Sequence, residues 1–276
     1  PLNPGQWLGQ VDGTCWMALY SLNMTKIALE LSKVNDVYED EAIYYAVNFF
    51  NIAQNVHDKE LGLWNDHEGI YNDVLHEKGE QNLPIPIKNI VALLPLAVIE
   101  CFSILEWNSV PRFQKAIELY LKENPKAKTY YRVNATGDRF FALSPDFQLN
   151  SLLNLMLDEN EFFSKYGIRS LSKQYENQPF TIKINGVKHE VHYKAGESDT
   201  ANFGENSNWR GPIWFPVNYV IVDALVKQKY LANGKHLDLH LRKEFKNKDL
   251  QDVGKEIIGR LASLFVFKNG ELPIYT

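Results

Sequence analysis

The sequence predicts an all-α fold built from pairs of helices, with small β-hairpins in the loops between them. Hydrophobic side chains recur at helical spacing in successive segments, and short polar stretches separate these segments. The 276 residues are 45% hydrophobic, which is enough for one large core and is not typical of a disordered chain. We therefore expect a single domain that spans residues 1–276.

The first two helices are expected to form a hairpin, because the polar stretch Asp36–Asp40 joins two apolar periodic segments. The first is defined by Tyr20, Met24, Ile27, Ala28 and Leu31, and the second by Ala42, Ala46, Phe49, Phe50, Ala53 and Val56. Further helical periodicity predicts helices at Ile87–Leu105, kinked at Pro95, and at Val110–Glu123, Gln148–Asp158, Pro216–Leu231 and Leu250–Phe267.

Two segments depart from the helical pattern and predict β-hairpins. Leu63–Leu75 alternates aromatic and acidic residues around Gly69, and Phe180–Tyr193 has alternating runs on either side of Asn185-Gly186, a strong turn signal. The polar, aromatic loop Ala195–Phe215 follows the second hairpin. Its length and aromatic content make it the first candidate for function.

Composition excludes several function classes. The formal net charge of −5 comes without a basic stripe, so we expect no nucleic-acid partner. The longest apolar run, Ile90–Ile104, is interrupted by Pro95 and Glu100, so we expect no membrane span. The histidines lack metal-ligand spacing and there is no glycine-rich phosphate loop, so we expect neither a metal nor a cofactor.

Cys15 and Cys101 lie in apolar segments and are predicted to be free, buried thiols, which favours a reducing, cytoplasmic location. The chain begins at Pro1 without an initiator methionine and stops at Thr276 directly after an apparent strand or turn. We therefore expect a chain truncated at both ends, with the missing remainder of its own domain as a partner.

Candidate chemistry lies in carboxylates beside aromatic side chains, the combination that a sugar-binding cleft requires. Asp12 precedes the first predicted helix and, from its residue type alone, is better explained as an N-cap than as a catalyst. Glu197 and Glu205 lie in the long loop, where a solvated charge is the ordinary interpretation.

The stretch around Trp209 and Trp214 has two interpretations. Both indoles could be core aromatics with Arg210 as a structural charge, or the indoles could form a sugar platform while Asn208 and Arg210 bind substrate hydroxyls. The functional interpretation is favoured slightly, because glycine and proline constrain the loop and polar residues flank its aromatics.

Four motifs carry a family resemblance, in the same order as in that family. They are DGTCWMALYSLNM at Asp12–Met24, GLWNDHEGIYNDVL at Gly62–Leu75, YGIRSLS at Tyr166–Ser172 and NSNWRGPIWFPVNY at Asn206–Tyr219. With these motifs the chain resembles the bacterial branch of glycoside hydrolase family 63, whose relatives include processing α-glucosidases and mannosylglycerate hydrolases. The resemblance implies an incomplete (α/α)6 toroid with an inverting mechanism.

The resemblance also implies roles for individual residues. Asp12 matches the position of the general acid, although the family motif Glu-Ser-Gly-x-Asp is replaced here by Gly9-Gln10-Val11-Asp12-Gly13. The general base is expected beyond Thr276 unless Glu197 or Glu205 takes its place, and Glu197 is the weak candidate within the chain. Substrate-binding residues are expected at Trp16, Trp64, Asp66, Tyr166, Arg169, Asn208, Trp209, Arg210 and Trp214. For Arg169 an ion pair with a carboxylate explains the residue as well as substrate binding does. For Tyr71 the equally good alternative to substrate binding is that it caps the core.

The leading interpretation is therefore hydrolysis of an α-linked glucoside or mannoside, with an oligosaccharide or small glycoside as substrate. The alternative is a fragment that binds carbohydrate or serves as structure without catalysis, which the lack of a second in-line carboxylate would favour. A phosphorylase or epimerase of the same architecture would need a phosphate site or a histidine pair, and the sequence has neither arrangement.

Overall fold

A computed structural model describes residues 2–196, 207–232, 245 and 248–275. About half of these residues are helical, and about a fifth lie in strands that form several small sheets. The expected all-α (α/α)6 toroid is therefore wrong for this chain. Segments that were predicted to be loops or helices instead pair their backbones as strands and form part of the packed structure.

The helices include every predicted segment except one. Their bounds are α1 Val11–Ser32, α2 Tyr38–Val56, α3 Ile104–Ser109, α4 Pro111–Glu123, α5 Asp146–Met156, α6 Phe215–Ala232 and α7 Leu250–Ala262. α1 packs along α2 as the predicted hairpin, and α6 packs along α7. Glu39, Asp40 and Glu41 occupy the first turn of α2, where negative charge complements the helix dipole.

The strands are short and antiparallel. Their bounds are β1 Gln6–Gly9, β2 Trp64–Asn65, β3 Ile70–Tyr71, β4 Asp73–Glu77, β5 Leu83–Ile85, β6 Ile99–Phe102, β7 Tyr131–Val133, β8 Arg139–Ala142, β9 Phe163–Ser164, β10 Gly167–Ile168, β11 Phe180–Ile184 and β12 Val187–Val191. One three-stranded sheet has the order β1-β4-β5 and another has the order β6-β8-β7. The remaining strands form two-stranded hairpins.

Both predicted hairpins are confirmed. β2 pairs with β3 with Trp64 opposite Tyr71, and β11 pairs with β12 around Asn185-Gly186. Asn185 and Gly186 have φ values of 51° and 80°, the two positive values that a type I′ turn requires.

The predicted helix at Ile87–Leu105 is wrong. A 3-10 helix occupies Ile90–Ala97, β6 follows at once, and α3 starts separately after the capping box of Ser103 and Glu106. Pro95 cannot donate a backbone hydrogen bond, and β6 gains a full ladder of bonds to β8 instead. No helix in the described part of the chain is long and apolar enough to cross a membrane.

The side of α1 that faces the core differs in part from the expected one. Cys15, Ala18 and Leu22 are buried, whereas Tyr20 and Ile27 of the predicted apolar set are 48% and 50% exposed. α1 therefore carries apolar side chains on two faces, of which only one packs against the described core.

The 3-10 helix Ile90–Ala97 lies at the centre of the packing, and all eight of its residues are buried. It packs against α1, α6, α5 and β3. Its first amide, Ile90 N–H, donates to the carbonyl oxygen of Ser170 at 2.8 Å. This one segment therefore joins α1 to the chain around Ser170 and to α6.

Asn218 on α6 fixes the neighbouring hairpin. Its amide is fully buried: Oδ1 accepts from Ile168 N–H at 2.8 Å, while Nδ2 donates to the carbonyl oxygens of Ile168 at 3.1 Å and Trp214 at 2.9 Å. The N–H and the carbonyl oxygen of Ile168 thus depend on one side chain, whereas the Trp214 carbonyl oxygen also accepts the backbone N–H of Asn218 at 3.0 Å.

We expect Asn218→Ala to lower the free energy of unfolding by about 2–4 kcal/mol, because the buried N–H and carbonyl oxygen of Ile168 lose the side chain that they bond. Chemical denaturation measures the loss. The matched control is Tyr219→Ala at the adjacent, 72% exposed position, which should change stability by no more than about 0.5 kcal/mol. Equal effects of the two substitutions would contradict the assigned role of Asn218.

Candidate active site

Asp12 is the second residue of α1, and the helix starts directly after β1. Gln10 occupies the N-cap position, so the expectation that Asp12 is the N-cap is wrong. Asp12 is partly buried; this burial raises the pKa of its carboxyl, and a hydrogen bond with Trp16, one turn further along α1, partly opposes the increase. The site thus places, beside an indole, a carboxyl that holds its proton more tightly than an ordinary aspartate does.

A second carboxylate, Asp73, lies at this end of α1 and was missed in the sequence. It is the first residue of β4, and its Oδ1 accepts the backbone N–H of Val11 at 2.8 Å. Burial raises the pKa of Asp73, the bond from Val11 lowers it, and the negative charge of Asp12 raises it further. Asp73 stands in the motif GLWNDHEGIYNDVL, but its approach to Asp12 depends on the pairing of β1 with β4.

Cys15 is close enough to the same two carboxylates for their charges to act on its thiol. Burial raises the pKa of its thiol, and the charges of Asp12 and Asp73 raise it further. Cys15 is 1% exposed and Cys101 is partly buried in β6, and both are free, as predicted. A thiol held protonated in this way is not a nucleophile, so the reactive groups at this end of α1 are the carboxyls.

Trp64 and Asp66 bind each other in the first hairpin. Trp64 Nε1 donates to Asp66 Oδ1 at 2.6 Å, and the indole lies edge-on to the ring of Tyr71, with 4.9 Å between ring centroids. Tyr71 itself is fully buried and donates its hydroxyl to Gln148 Oε1 at 2.5 Å, as a core-capping residue would. Because Tyr71 precedes Asp73 by two residues, this hairpin adjoins the carboxylate pair.

The Trp-Arg-Gly-Pro motif is held against the YGIRSLS motif by two hydrogen bonds that both involve Ser170. Gly211 N–H donates to Ser170 Oγ at 2.9 Å, and Ser170 N–H donates to the carbonyl oxygen of Pro212 at 3.0 Å. Gly211 has a φ of +143°, and a Cβ there would lie 2.6 Å from the ring of Tyr193, so only glycine fits. The structure therefore brings these two predicted motifs together.

In this second group Arg210 is buried and the two indoles are partly buried. Trp209 and Trp214 meet edge-on, with ring centroids 4.5 Å apart, and both pack against the core. Arg210 is 2% exposed, and its Nε donates to the carbonyl oxygen of His192 at 3.2 Å. Arg210 thus has a structural contact, while the partly exposed indoles remain predicted substrate-binding residues.

Arg169 and Tyr166 are also placed by local contacts. Arg169 Nη1 donates to the carbonyl oxygens of Glu159, Glu161 and Phe163. The guanidinium lines a cavity of about 570 Å³ and stabilises the loop before β9 through carbonyl groups. Tyr166 is partly buried, with Lys165 Nζ 5.1 Å from its ring centroid.

Several predicted residues lie outside the described part of the chain. Glu197 and Glu205 lie entirely outside the described residues. For Asn208 only the backbone is described, in a 3-10 helix at Ser207–Arg210. The candidate base within the chain is therefore without a structural position. Among the described residues, no group of three or more His, Cys, Asp or Glu side chains is placed to hold a metal ion.

The sequence is similar to known proteins over different parts of its length. Residues 140–256 match the model of the Glycosyl hydrolase family 63 C-terminal domain. The uncharacterized protein YMR196W of Saccharomyces cerevisiae is 36% identical over an alignment that covers 100% of this chain and 27% of that protein. The chain thus spans about a quarter of the length of this relative.

Two glucosidases are similar over smaller fractions of their length. A probable mannosyl-oligosaccharide glucosidase of Schizosaccharomyces pombe is 38% identical over 33% of this chain and 8% of its own length. The mannosyl-oligosaccharide glucosidase of Saccharomyces cerevisiae is 22% identical over 78% of this chain and 17% of its own length. These relatives are fungal, so the expected bacterial branch has no support. Residues 140–256 are therefore similar to the C-terminal domain of glycosyl hydrolase family 63, and the two glucosidases support this similarity.

Proposed function

We propose that the chain carries part of a glycoside hydrolase site that cleaves a terminal α-linked glucose from an oligosaccharide, with Asp12 as the general acid. The observation that carries the proposal is the partly buried Asp12 carboxyl beside Trp16 at the start of α1, whose raised pKa suits a proton donor. The family match and the names of the two glucosidase relatives support the reaction class and the choice of glucoside over mannoside.

In the proposed reaction the Asp12 carboxyl donates its proton to the glycosidic oxygen as the bond to the anomeric carbon breaks. A water molecule attacks that carbon from the opposite face and gives its proton to a general base, so the released sugar has the inverted configuration. Asp12 regains a proton from solvent. The base is not assigned, and Glu197 remains a candidate from the sequence alone.

We expect Asp12→Asn to lower turnover of a glucose-terminated oligosaccharide by about 100-fold or more, because the amide cannot protonate the sugar alkoxide that leaves. The rate is measured by release of glucose, and circular dichroism checks that the fold is retained. The matched control is Asp40→Asn, which changes an exposed acid in the first turn of α2 that pairs with Arg112 at 2.6 Å.

Unchanged turnover in Asp12→Asn would remove Asp12 from the mechanism. A wild-type chain that binds a glucose-terminated oligosaccharide in calorimetry yet hydrolyses none of the α-glucosides would instead favour a carbohydrate-binding module. Inversion is checked separately by proton NMR during hydrolysis, and first appearance of the α-anomer would contradict it.

The pH dependence of stability gives a second expected outcome for Asp12. A carboxyl whose pKa is raised by folding stabilises the folded state while protonated, and this contribution is lost as pH rises through the raised pKa. Above that pKa, wild type contains a partly buried charge that Asp12→Asn lacks. The variant should therefore gain stability relative to wild type as pH rises from below 3.8 to neutrality.

Denaturant midpoints of wild type, Asp12→Asn and Asp40→Asn, measured across this pH range, test the expectation. Asp40→Asn should show no such gain. If Asp12→Asn became less stable than wild type as pH rose, the assigned direction of the Asp12 pKa would be incorrect.

A further inference from the structure

A cavity beside strand β9, the basic cavity, is lined mainly by cationic side chains. Its volume is about 570 Å³, and the described residues that line it include four bases: Lys165, Arg169, Lys173 and Arg260. Glu159 is the one acidic residue among them. The formal net charge of the whole chain is −5, so this excess of positive charge is local. A concave site of this kind attracts anions.

Two arginines of the basic cavity are held by successive carbonyl oxygens of β9. Arg169 Nη1 donates to the carbonyl oxygen of Phe163 at 2.7 Å, and Arg260 Nη1 donates to that of Ser164 at 2.7 Å. The Arg260 guanidinium also stacks on Phe163, 3.8 Å from the ring centroid. Because both guanidinium groups are fixed by the protein, little side-chain entropy is lost when a ligand binds them.

Arg169 is a nearly buried charge that has no carboxylate partner among the described residues. It is 8% exposed, and its Nη1 donates only to carbonyl oxygens, those of Glu159, Glu161 and Phe163. No described residue accepts a hydrogen bond from its Nε or Nη2. Buried charges in proteins are ordinarily paired, because an unpaired charge loses its hydration without compensation. An anion in the basic cavity would supply the missing counter-ion.

The acidic side chains nearby leave this charge in excess. Glu159 lies 3.6 Å from Arg260 Nη1 and is 59% exposed, so solvent screens the pair. Glu256 accepts from Arg260 Nε at 3.1 Å, which leaves Nη2 of Arg260 without a described acceptor. Lys165 contacts the ring of Tyr166, with 5.1 Å from Nζ to the centroid, and no described carboxylate. Donors of three cations are therefore available to a ligand.

The positive charge continues into an adjoining cavity of about 510 Å³, because Lys165 and Arg260 line both cavities. The described residues that line only the second cavity include three bases and two acids, namely Lys248, Lys255, Lys268, Asp252 and Glu256. Cavities of this size accept small organic ligands. An anion in the basic cavity can therefore carry a sugar-sized group.

We propose that the basic cavity binds a phosphate group through Lys165, Arg169 and Arg260. These three cations come from the β9-β10 turn, the end of β10 and α7, and so approach from separate elements. A phosphate group carries roughly two negative charges at neutral pH and presents several acceptor oxygens in different directions. A carboxylate has one charge and two oxygens in a single plane, so it matches three separate cations less well.

The phosphate site is distinct from the proposed acid. Neither Asp12 nor Asp73 lines the basic cavity or its neighbour. The proposal therefore does not require that the chain hydrolyses a glycoside. The same phosphate chemistry is offered by inorganic phosphate and by a phosphorylated sugar, and the two sources are separated by measurement.

Isothermal titration calorimetry of the chain with inorganic phosphate and with glucose 6-phosphate, at fixed ionic strength, tests the proposal. We expect saturable binding of at least one of them with a Kd of about 1 mM or lower. Tighter binding of glucose 6-phosphate would assign the site to a sugar phosphate, and equal or tighter binding of inorganic phosphate would assign it to the free ion. Either result supports the phosphate site.

Lys165→Gln removes one cation without removing a hydrogen bond to any described residue, so the variant should fold like wild type. We expect it to weaken binding of the tighter ligand by about 10-fold, because a charge-assisted hydrogen bond is lost. The matched control is Lys122→Gln, which removes the same charge from the last turn of α4. That helix packs against α2 and lines no part of the basic cavity, so the Kd should stay at its wild-type value.

Arg169→Lys keeps the charge of a nearly buried cation but removes its planar pair of free donors. We expect this variant also to weaken binding by about 10-fold, and circular dichroism checks its fold. Wild-type affinity in either Lys165→Gln or folded Arg169→Lys would overturn the proposal. Equal losses in Lys165→Gln and Lys122→Gln would overturn it as well, since binding would then follow net charge alone. So would the lack of saturable binding of both ligands up to about 10 mM.

Discussion

The structure depends on burying one short segment, the 3-10 helix Ile90–Ala97. All eight of its residues are apolar and buried, and it packs against α1, α5, α6 and β3. Burial of apolar surface is the main favourable contribution to folding, so a segment that is buried against four elements holds them in a common arrangement. The hydrogen bond from Ile90 N–H to the carbonyl oxygen of Ser170 adds a directional contact to this nonspecific attraction.

This central segment connects the two groups of motif residues. It packs directly on α1, whose N-terminus carries Asp12, and it bonds to Ser170, which binds the backbone of Gly211 and Pro212. The carboxylate pair and the Trp-Arg-Gly-Pro motif are therefore set by the same core. The first group offers titratable groups, while in the second group Arg210 is buried and the partly buried Trp209 packs against the core.

The carboxylate pair is unfavourable for stability in its ionised form, and this is informative about its role. Burial raises the pKa of both Asp12 and Asp73, and no described positive charge is bonded to either. Elsewhere the chain pairs its acids in the usual way, as with Glu100 and Lys227 at 2.9 Å. Local departures of this kind are expected where function, rather than stability, selects the residues.

The sequence by itself determined the elements that rest on local rules. The α1-α2 hairpin follows from apolar spacing, and the β11-β12 turn follows from Asn185-Gly186, because these preferences act between neighbouring residues. The family resemblance also came from local motifs, and the match over residues 140–256 supports it. The bacterial branch and the toroid that the resemblance implied did not follow from these local patterns.

Only the tertiary structure decided the rest. The periodicity of Ile87–Leu105 predicts one helix, yet β6 lies within this segment and pairs with β8, where Ile99 lies opposite Ala142, 43 residues further along the chain. Asp73 meets Val11 across 62 residues, and no periodicity in the sequence reports such a contact. Periodicity shows that a residue is buried but not against what, because long-range pairing depends on which surfaces the whole chain brings together.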